Sequence, residues 1–293
     1  MREIYPIPPR LRKGAGDILP ALPKEGSLTH LTPMTRKSLP LVLALLAAAA
    51  LSCSKGEVKP VGPPHQSPPA AELIEQADKL YAERGQSLES VRRAISFLRL
   101  ARSRENRNYE AAWKLSRAAY YLGAHGPEEG ERLEAFREGI TAGELAAQFG
   151  PDEPEGHFWH GANLGGRAKL QGPIYALASV EEIRRDMETV IRLDEGFQAG
   201  SAYLALGQLD LELPEMFGGN DERAVEVLER GLAFGENNAL LRVKLAEAYM
   251  QLKRTADARR QLQAVLKIKP SPDFGPEYAQ AVAEARRLLE KTG

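Results

Sequence analysis

Between Ala239 and Pro270 the chain carries a pattern that fits two antiparallel helices packed as a hairpin. Leu245-Ala246 and Tyr249 fall on one face of a first helix. Ala258, Leu262 and Val265-Leu266 fall on one face of a second, and Pro270 closes the unit. Ala246 and Ala258 lack bulk, so the two backbones can approach, while Leu245, Tyr249, Leu262 and Leu266 fill the space between hairpins. A unit of this size cannot bury its apolar face alone and needs stacked neighbours.

The spacing resembles the tetratricopeptide repeat (TPR), a helical hairpin of about 34 residues. Looser copies precede it. Tyr203, Leu206-Gly207, Ala224, Leu228, Gly231 and Leu232 keep the pattern around an insertion at Leu211–Asn220, where Asn220 is placed to cap the following helix. His160-Gly161, Leu164, Ile183, Met187 and Val190-Ile191 form another unit, with extra residues expected as a gap around Gly165–Pro173. Trp113, Ser116-Arg117 and Tyr120 suit a first helix, and Leu133, Phe136, Ile140, Leu145 and Phe149 a second. Leu73–Tyr81 pairs with Ala94, Leu98 and Ala101, and Glu277–Leu289 is left to cap the array. The reading is all-α: an α-solenoid of degenerate tetratricopeptide-like hairpins over 70–293.

Charge and cysteine usage bear on location. Of 39 basic and 40 acidic residues, seven and three lie in 1–52, which leaves 32 and 37 beyond. This mildly acidic body lacks the basic footprint of a nucleic-acid binder. Arg36-Lys37 precede Leu39–Leu51, an apolar run interrupted only by Pro40. Spanning a membrane takes about 20 apolar residues, so the run suits a secretory signal instead. It leads through Ala50-Leu51-Ser52 to Cys53, the sole cysteine. That junction resembles the lipobox of bacterial lipoproteins, which implies cleavage before Cys53 and a diacylglycerol on its thiol. We expect 34–52 to be the signal, 53–69 a lipidated, Pro-rich disordered tether, and 1–33 an extension ahead of a true start at Met34. Ser54 favours the outer over the inner membrane, with the body facing the periplasm.

The array also resembles the T-component proteins of tripartite ATP-independent periplasmic (TRAP) transporters. The resemblance covers roughly 72–270 and rests on Trp113-x-x-Ser-Arg117, Glu155-Gly-His-Phe-Trp-His-Gly-Ala-Asn-Leu-Gly165, Met187-Glu-Thr-Val-Ile-Arg-Leu-Asp194 and Glu215-Met-Phe-Gly-Gly219 before Ala224–Glu229. It implies a non-catalytic lipoprotein scaffold that pairs with the transporter's periplasmic substrate-binding protein, helps pass on a small ligand, and can form a homo-oligomer such as a trimer. The residues named for partner or ligand contact are Phe158, Asn163, Arg167, Met216, Phe217 and Arg242.

Signs of chemistry are sparse. His157-x-x-His160 lies on one helical face and could offer two zinc ligands, but the Glu base and further His of a zinc protease are missing. Packing explains both histidines more simply, and no metal or cofactor is assigned. Gly165-Gly166-Arg167 lacks the Gly-Lys-Ser/Thr ending of a phosphate loop. Phe217-Gly218-Gly219 reads as a flexible loop, and the Arg92-Arg93 and Arg259-Arg260 pairs read as solvated helix faces. Against the transport scaffold stand an envelope-assembly scaffold, a direct small-molecule carrier, and a metal-dependent enzyme built on His157 and His160.

Overall fold

The computed structural model describes residues 68–269 and 275–292. The proposed signal, Cys53 and the tether as far as Ser67 lie outside the described residues, as does Pro270. Among the described residues, eleven α-helices follow one another. They are α1 (Ala70–Ala82), α2 (Leu88–Arg104), α3 (Tyr109–His125), α4 (Glu129–Phe149), α5 (Pro154–Gln171), α6 (Pro173–Leu193), α7 (Ser201–Glu212), α8 (Asp221–Leu232), α9 (Ala239–Gln251), α10 (Thr255–Val265) and α11 (Gly275–Lys291). A short 3-10 turn, Glu215–Phe217, interrupts the connection from α7 to α8.

Local chemistry sets the starts of these helices. Ser87, Asn108, Asn220 and Asn238 each accept a hydrogen bond from the backbone N–H three residues on, which satisfies a donor the first turn leaves open. Pro154 and Pro173 open α5 and α6, where a missing N–H costs nothing. Five hairpins result, with α11 against α9 and α10 at the end. The first helices of hairpins adjoin in two runs: α1 touches α3 and α3 touches α5, then α7 touches α9 and α9 touches α11, with α6 against α7 between the runs.

The fold is therefore the expected all-α solenoid of TPR-like hairpins. Ala246 and Ala258 are fully buried, as are Leu245 and Leu262. Two expectations need correcting. Leu266 does not fill the space between hairpins but stands 41% exposed, next to the fully buried Val265. The residues around Gly165–Pro173 are not a gap, because α5 runs unbroken to Gln171 and α6 begins at Pro173. Gly172 alone makes the turn, at φ 89°, a backbone angle that side-chain-bearing residues seldom adopt. The extra residues lengthen helices: α4 and α6 have 21 residues each. Contacts between hairpins stand 39 residues apart in Asp78–Arg117, Arg92–Glu131 and Ala199–Asn238, and 46 and 47 apart across the long α4, in Tyr109–Glu155 and Ser116–Asn163.

Apolar burial falls into three clusters along the array. Leu73, Leu98 and Leu115 centre the first, Phe158, Trp159 and Met187 the second, and Leu241, Leu245 and Leu262 the third. Between α4 and α5 the backbones themselves meet. A Cβ added to Gly143 would stand 2.8 Å from the His160 backbone, and one added to Gly156 2.5 Å from the Ala147 nitrogen. No helix among the described residues is long and apolar enough to cross a membrane.

Candidate functional site

Two regions place chemically distinctive side chains where a ligand or partner could meet them. The first is a seam of aromatic and cationic residues on α1, α3 and α5. The Arg117 guanidinium lies 4.2 Å from the Tyr81 ring centre and 4.9 Å from that of Trp113. It also pairs with Asp78 at 3.1 Å, and Lys114 reaches the same carboxylate at 2.5 Å. Burial pushes the Tyr81 phenol up to about 12, against the opposing pull of Arg117 and Arg84, so it stays protonated. Arg84 also meets Glu277 of α11 at 3.3 Å, which joins the first hairpin turn to the last helix. Further along, Tyr120 lies 5.7 Å from the Trp159 ring centre, and Trp159 packs edge-on against Phe158. The Arg117 Nε and Trp159 Nε1 donors are buried on this seam without a hydrogen-bond partner among the described residues.

Beneath that seam the structure buries two residues singled out in the sequence for partner contact. Phe158 is 8% exposed and Asn163 0%. The Asn163 amide donates to the Ser116 carbonyl and hydroxyl at 3.1 Å and to the Trp159 carbonyl at 2.7 Å, while Ser116 donates to the Gly139 carbonyl at 2.7 Å. These groups stitch α3, α4 and α5 together and are withdrawn from the surface. Gly139 leaves the room they need, since a Cβ there would fall 2.0 Å from the Asn163 carbonyl oxygen.

His160 also turns inward, and its Nδ1 sits 2.7 Å from the Asp186 carboxylate on α6. His157 lies 4.0 Å from the other Asp186 oxygen, with its Nε2 3.1 Å from the Pro151 carbonyl. No group of three or more His, Cys, Asp or Glu side chains among the described residues is disposed to hold a metal ion. Burial presses the His160 pKa down, but the Asp186 hydrogen bond and charge, aided by Glu182 and Glu144, carry it above the ordinary histidine value of 6.5. A histidine raised in the folded state contributes stability that is complete below its unfolded pKa and disappears as pH climbs through the folded one. Unfolding midpoints should therefore fall as pH rises above 6.5, and Asp186→Asn should flatten that decline. A wild-type midpoint that stays level or rises across that span would contradict the assignment.

The second region is the connection between α7 and α8. Asp210 is 1% exposed, yet it is a carboxylate on an apolar helix. Arg184 of α6 reaches it at 2.7 Å, and Arg223 of α8 holds it through two bonds at 2.8 and 2.6 Å. Arg223 also donates to the Gly218 carbonyl at 2.6 Å, and the Asn220 N–H to the Asp210 carbonyl at 3.0 Å. Gly218 stands at φ 90°, and a Cβ on Gly219 would overlap the Leu213 carbonyl oxygen at 1.8 Å. The loop read as flexible is thus a tied knob. It holds Met216 81% and Phe217 44% exposed. Glu215, Asp221 and Glu222 surround it, and burial together with those two glutamates raises the Asp221 pKa.

Arg167 lies in the last turns of α5, bonding Gln171 at 2.6 Å and lying 4.4 Å from the Tyr175 ring centre. A Lys169–Glu212 pair at 3.2 Å links the ends of α5 and α7 there. Arg242 is elsewhere, near the start of α9, bonded to the Glu236 carbonyl and to Gln261. So the structure presents Met216 and Phe217 on the knob, holds Arg167 against Gln171 and Tyr175 near the end of α5, buries Phe158 and Asn163, and leaves Arg242 apart. The Asp210 hub was missed in the sequence. Its trace was an acid inside the apolar stretch Leu209-Asp210-Leu211.

Comparison with known proteins adds two findings. The TAtT family model, described as TRAP transporter T-component, matches residues 69–292. Among solved structures, the chain resembles a thermophilic TPR protein of Thermus thermophilus with a TM-score of 0.52 and 19% identity, over 73% of this chain and 99% of that one. At that identity the likeness speaks for the fold alone. No curated protein matches the chain.

Proposed function

The chain belongs to the TRAP transporter T-component family, and from that premise we propose that it is a non-catalytic periplasmic scaffold that docks the transporter's substrate-binding component. The observation that carries the docking half is the knob, where a buried ionic hub, two glycines and a ring of backbone bonds keep Met216 and Phe217 exposed. Rigid apolar anchors bind with little loss of conformational freedom, and a few such residues commonly dominate an interface. Arg167, in the last turns of α5, supplies a charged contact at the rim. In this reading Cys53 carries the lipid that holds the scaffold to the envelope, more fittingly on the outer membrane, and copies associate, as in a trimer.

The test is affinity capture of the tagged full chain from its native envelope, read by mass spectrometry. A TRAP-type substrate-binding protein should be recovered with the wild type. The Met216→Ser/Phe217→Ser variant should bind it about tenfold or more weakly, the usual scale for losing central apolar anchors. Recovery of envelope-assembly proteins alone would replace the transport role with an assembly role. Undiminished capture by the variant would remove the knob from the interface.

A second reading, a direct small-molecule carrier, draws on the unpartnered Arg117 and Trp159 donors along the aromatic seam. Organic ligand released from purified protein on denaturation, and reduced by Trp159→Phe, would favour it. Protein that yields none would count against it.

A further inference from the structure

On the face away from the α1–α3–α5 layer, α2 and α4 are joined by a ladder of ion pairs. Arg92 grips Glu131 through two bonds at 2.6 and 3.0 Å, and Arg99 grips Glu138 at 2.6 and 2.7 Å. Both rungs join residues 39 apart. One turn beyond Arg99 on the same face comes Arg102, and the residue at the same offset on α4 is Thr141, one turn beyond Glu138. The third rung therefore has its cation and lacks its anion.

Three further observations converge there. Among the described residues no carboxylate pairs with Arg102. Its Nε, the atom through which Arg92 and Arg99 hold their partners, is shielded from solvent without an acceptor. A shallow, open surface depression of about 330 Å³ lies at this place, lined by Arg99, Arg102, Glu134, Arg137, Glu138 and Thr141. Glu138 is already taken up by Arg99. Glu134 meets Arg137 only at 3.6 Å, beyond good hydrogen-bond distance. The lining thus carries one more positive than negative charge.

We propose that this depression is a site for an oxyanion of the phosphate class, which supplies the acceptor oxygens missing from the third rung. Arg102 is the principal donor, with Arg137 at its edge; the Thr141 hydroxyl already donates to the Arg137 carbonyl at 3.2 Å and marks the place of the absent carboxylate. Guanidinium favours such ligands because its planar fork matches two oxygens at once, as the first two rungs illustrate with carboxylates. Free phosphate and the phosphate of a lipid headgroup share this chemistry. The proposal stands apart from the docking role, since it lies on other helices and uses none of the knob residues.

The experiment is titration calorimetry of the full chain in detergent, at constant ionic strength, first with inorganic phosphate and then with short-chain phosphatidylglycerol below its micelle concentration. Two variants accompany the wild type. Arg102→Gln removes the donor, and Thr141→Glu builds the absent carboxylate into the rung. Saturable binding by the wild type, weakened about tenfold or more in both variants, is expected for a charge-assisted fork. Thr141→Glu should also raise the unfolding midpoint in phosphate-free buffer, which shows that it folds and that its carboxylate occupies the site. A response to phosphate identifies the free ion as ligand, and a response to the lipid alone identifies the headgroup. No saturable binding of either, or binding undiminished in Arg102→Gln, overturns the proposal.

Discussion

Phe136→Ala is expected to cost about 4 kcal/mol of unfolding free energy, the middle of the range for truncating a buried aromatic side chain. The ring is 2% exposed on α4 and reaches both neighbouring helices. It lies against Gly123 of α3 and Gly166 of α5, so closely that a Cβ on either glycine would stand 2.6 or 2.3 Å from a ring carbon. Its other aromatic neighbour is Tyr120, with ring centres 6.2 Å apart. Truncation should therefore leave a cavity between three helices that cannot all move inward together. A double-mutant cycle makes the claim specific. Gly166→Ala should destabilise the wild type through the clash, yet in the Phe136→Ala background it should be neutral or favourable by up to about 1 kcal/mol, the gain in helix propensity from Gly to Ala. Urea unfolding of the four proteins reads this directly. If the two costs simply add, the ring and the glycine are not in contact, and the account of this seam fails.

Those glycines also explain why part of the architecture was hard to read in sequence. Ala246 and Ala258 announced their hairpin because the small residues that permit contact and the leucines that fill it lie within one short unit. Gly165 and Gly166 announced the wrong thing. Glycine weakens an isolated helix, so a gap was the natural reading, but here Phe136 occupies the space beside Gly166 and Gly165 faces Ile183. Tertiary packing outweighs the local preference. Distance in sequence hid the rest. His160 finds Asp186 across 26 residues, and Arg92, read as a solvated cation, finds Glu131 across 39. Neither partner belongs to a local motif, so only the stacking of hairpins brings them together. Of the residues picked for partner contact, Met216 and Phe217 are exposed, while Asn163 is buried because its polar side chain satisfies backbone groups at a helix crossing. A polar residue on a helix can serve either purpose, and the pattern of apolar neighbours does not separate them.

Asp210→Ala should have an effect of similar size, concentrated in one place. Its carboxylate is wholly buried between Arg184 and Arg223, whose side chains are 22% and 43% exposed. Removing one member of a buried ionic cluster commonly costs about 3–5 kcal/mol, because the charges left behind lose their partner. Both arginines can regain some water here, so about 3 kcal/mol is the better expectation. The consequence for the knob is larger than that figure suggests. Once freed from Asp210, Arg223 is no longer held in place to anchor the Gly218 carbonyl, and the turn that presents Met216 and Phe217 loses its brace. Hydrogen exchange at the Gly218, Gly219 and Asn220 amides should quicken more than exchange in α9 and α10, whose apolar cluster includes none of the knob residues. Replacing the hub by apolar residues, Asp210→Leu with Arg184→Met and Arg223→Met, separates stability from presentation. Well-packed apolar substitutes can restore much of the lost stability, but they offer no donor to Gly218. That triple variant should unfold close to the wild type and still show fast exchange across the knob. Slow exchange in both variants would mean that the glycines and backbone bonds hold the knob without the ionic hub.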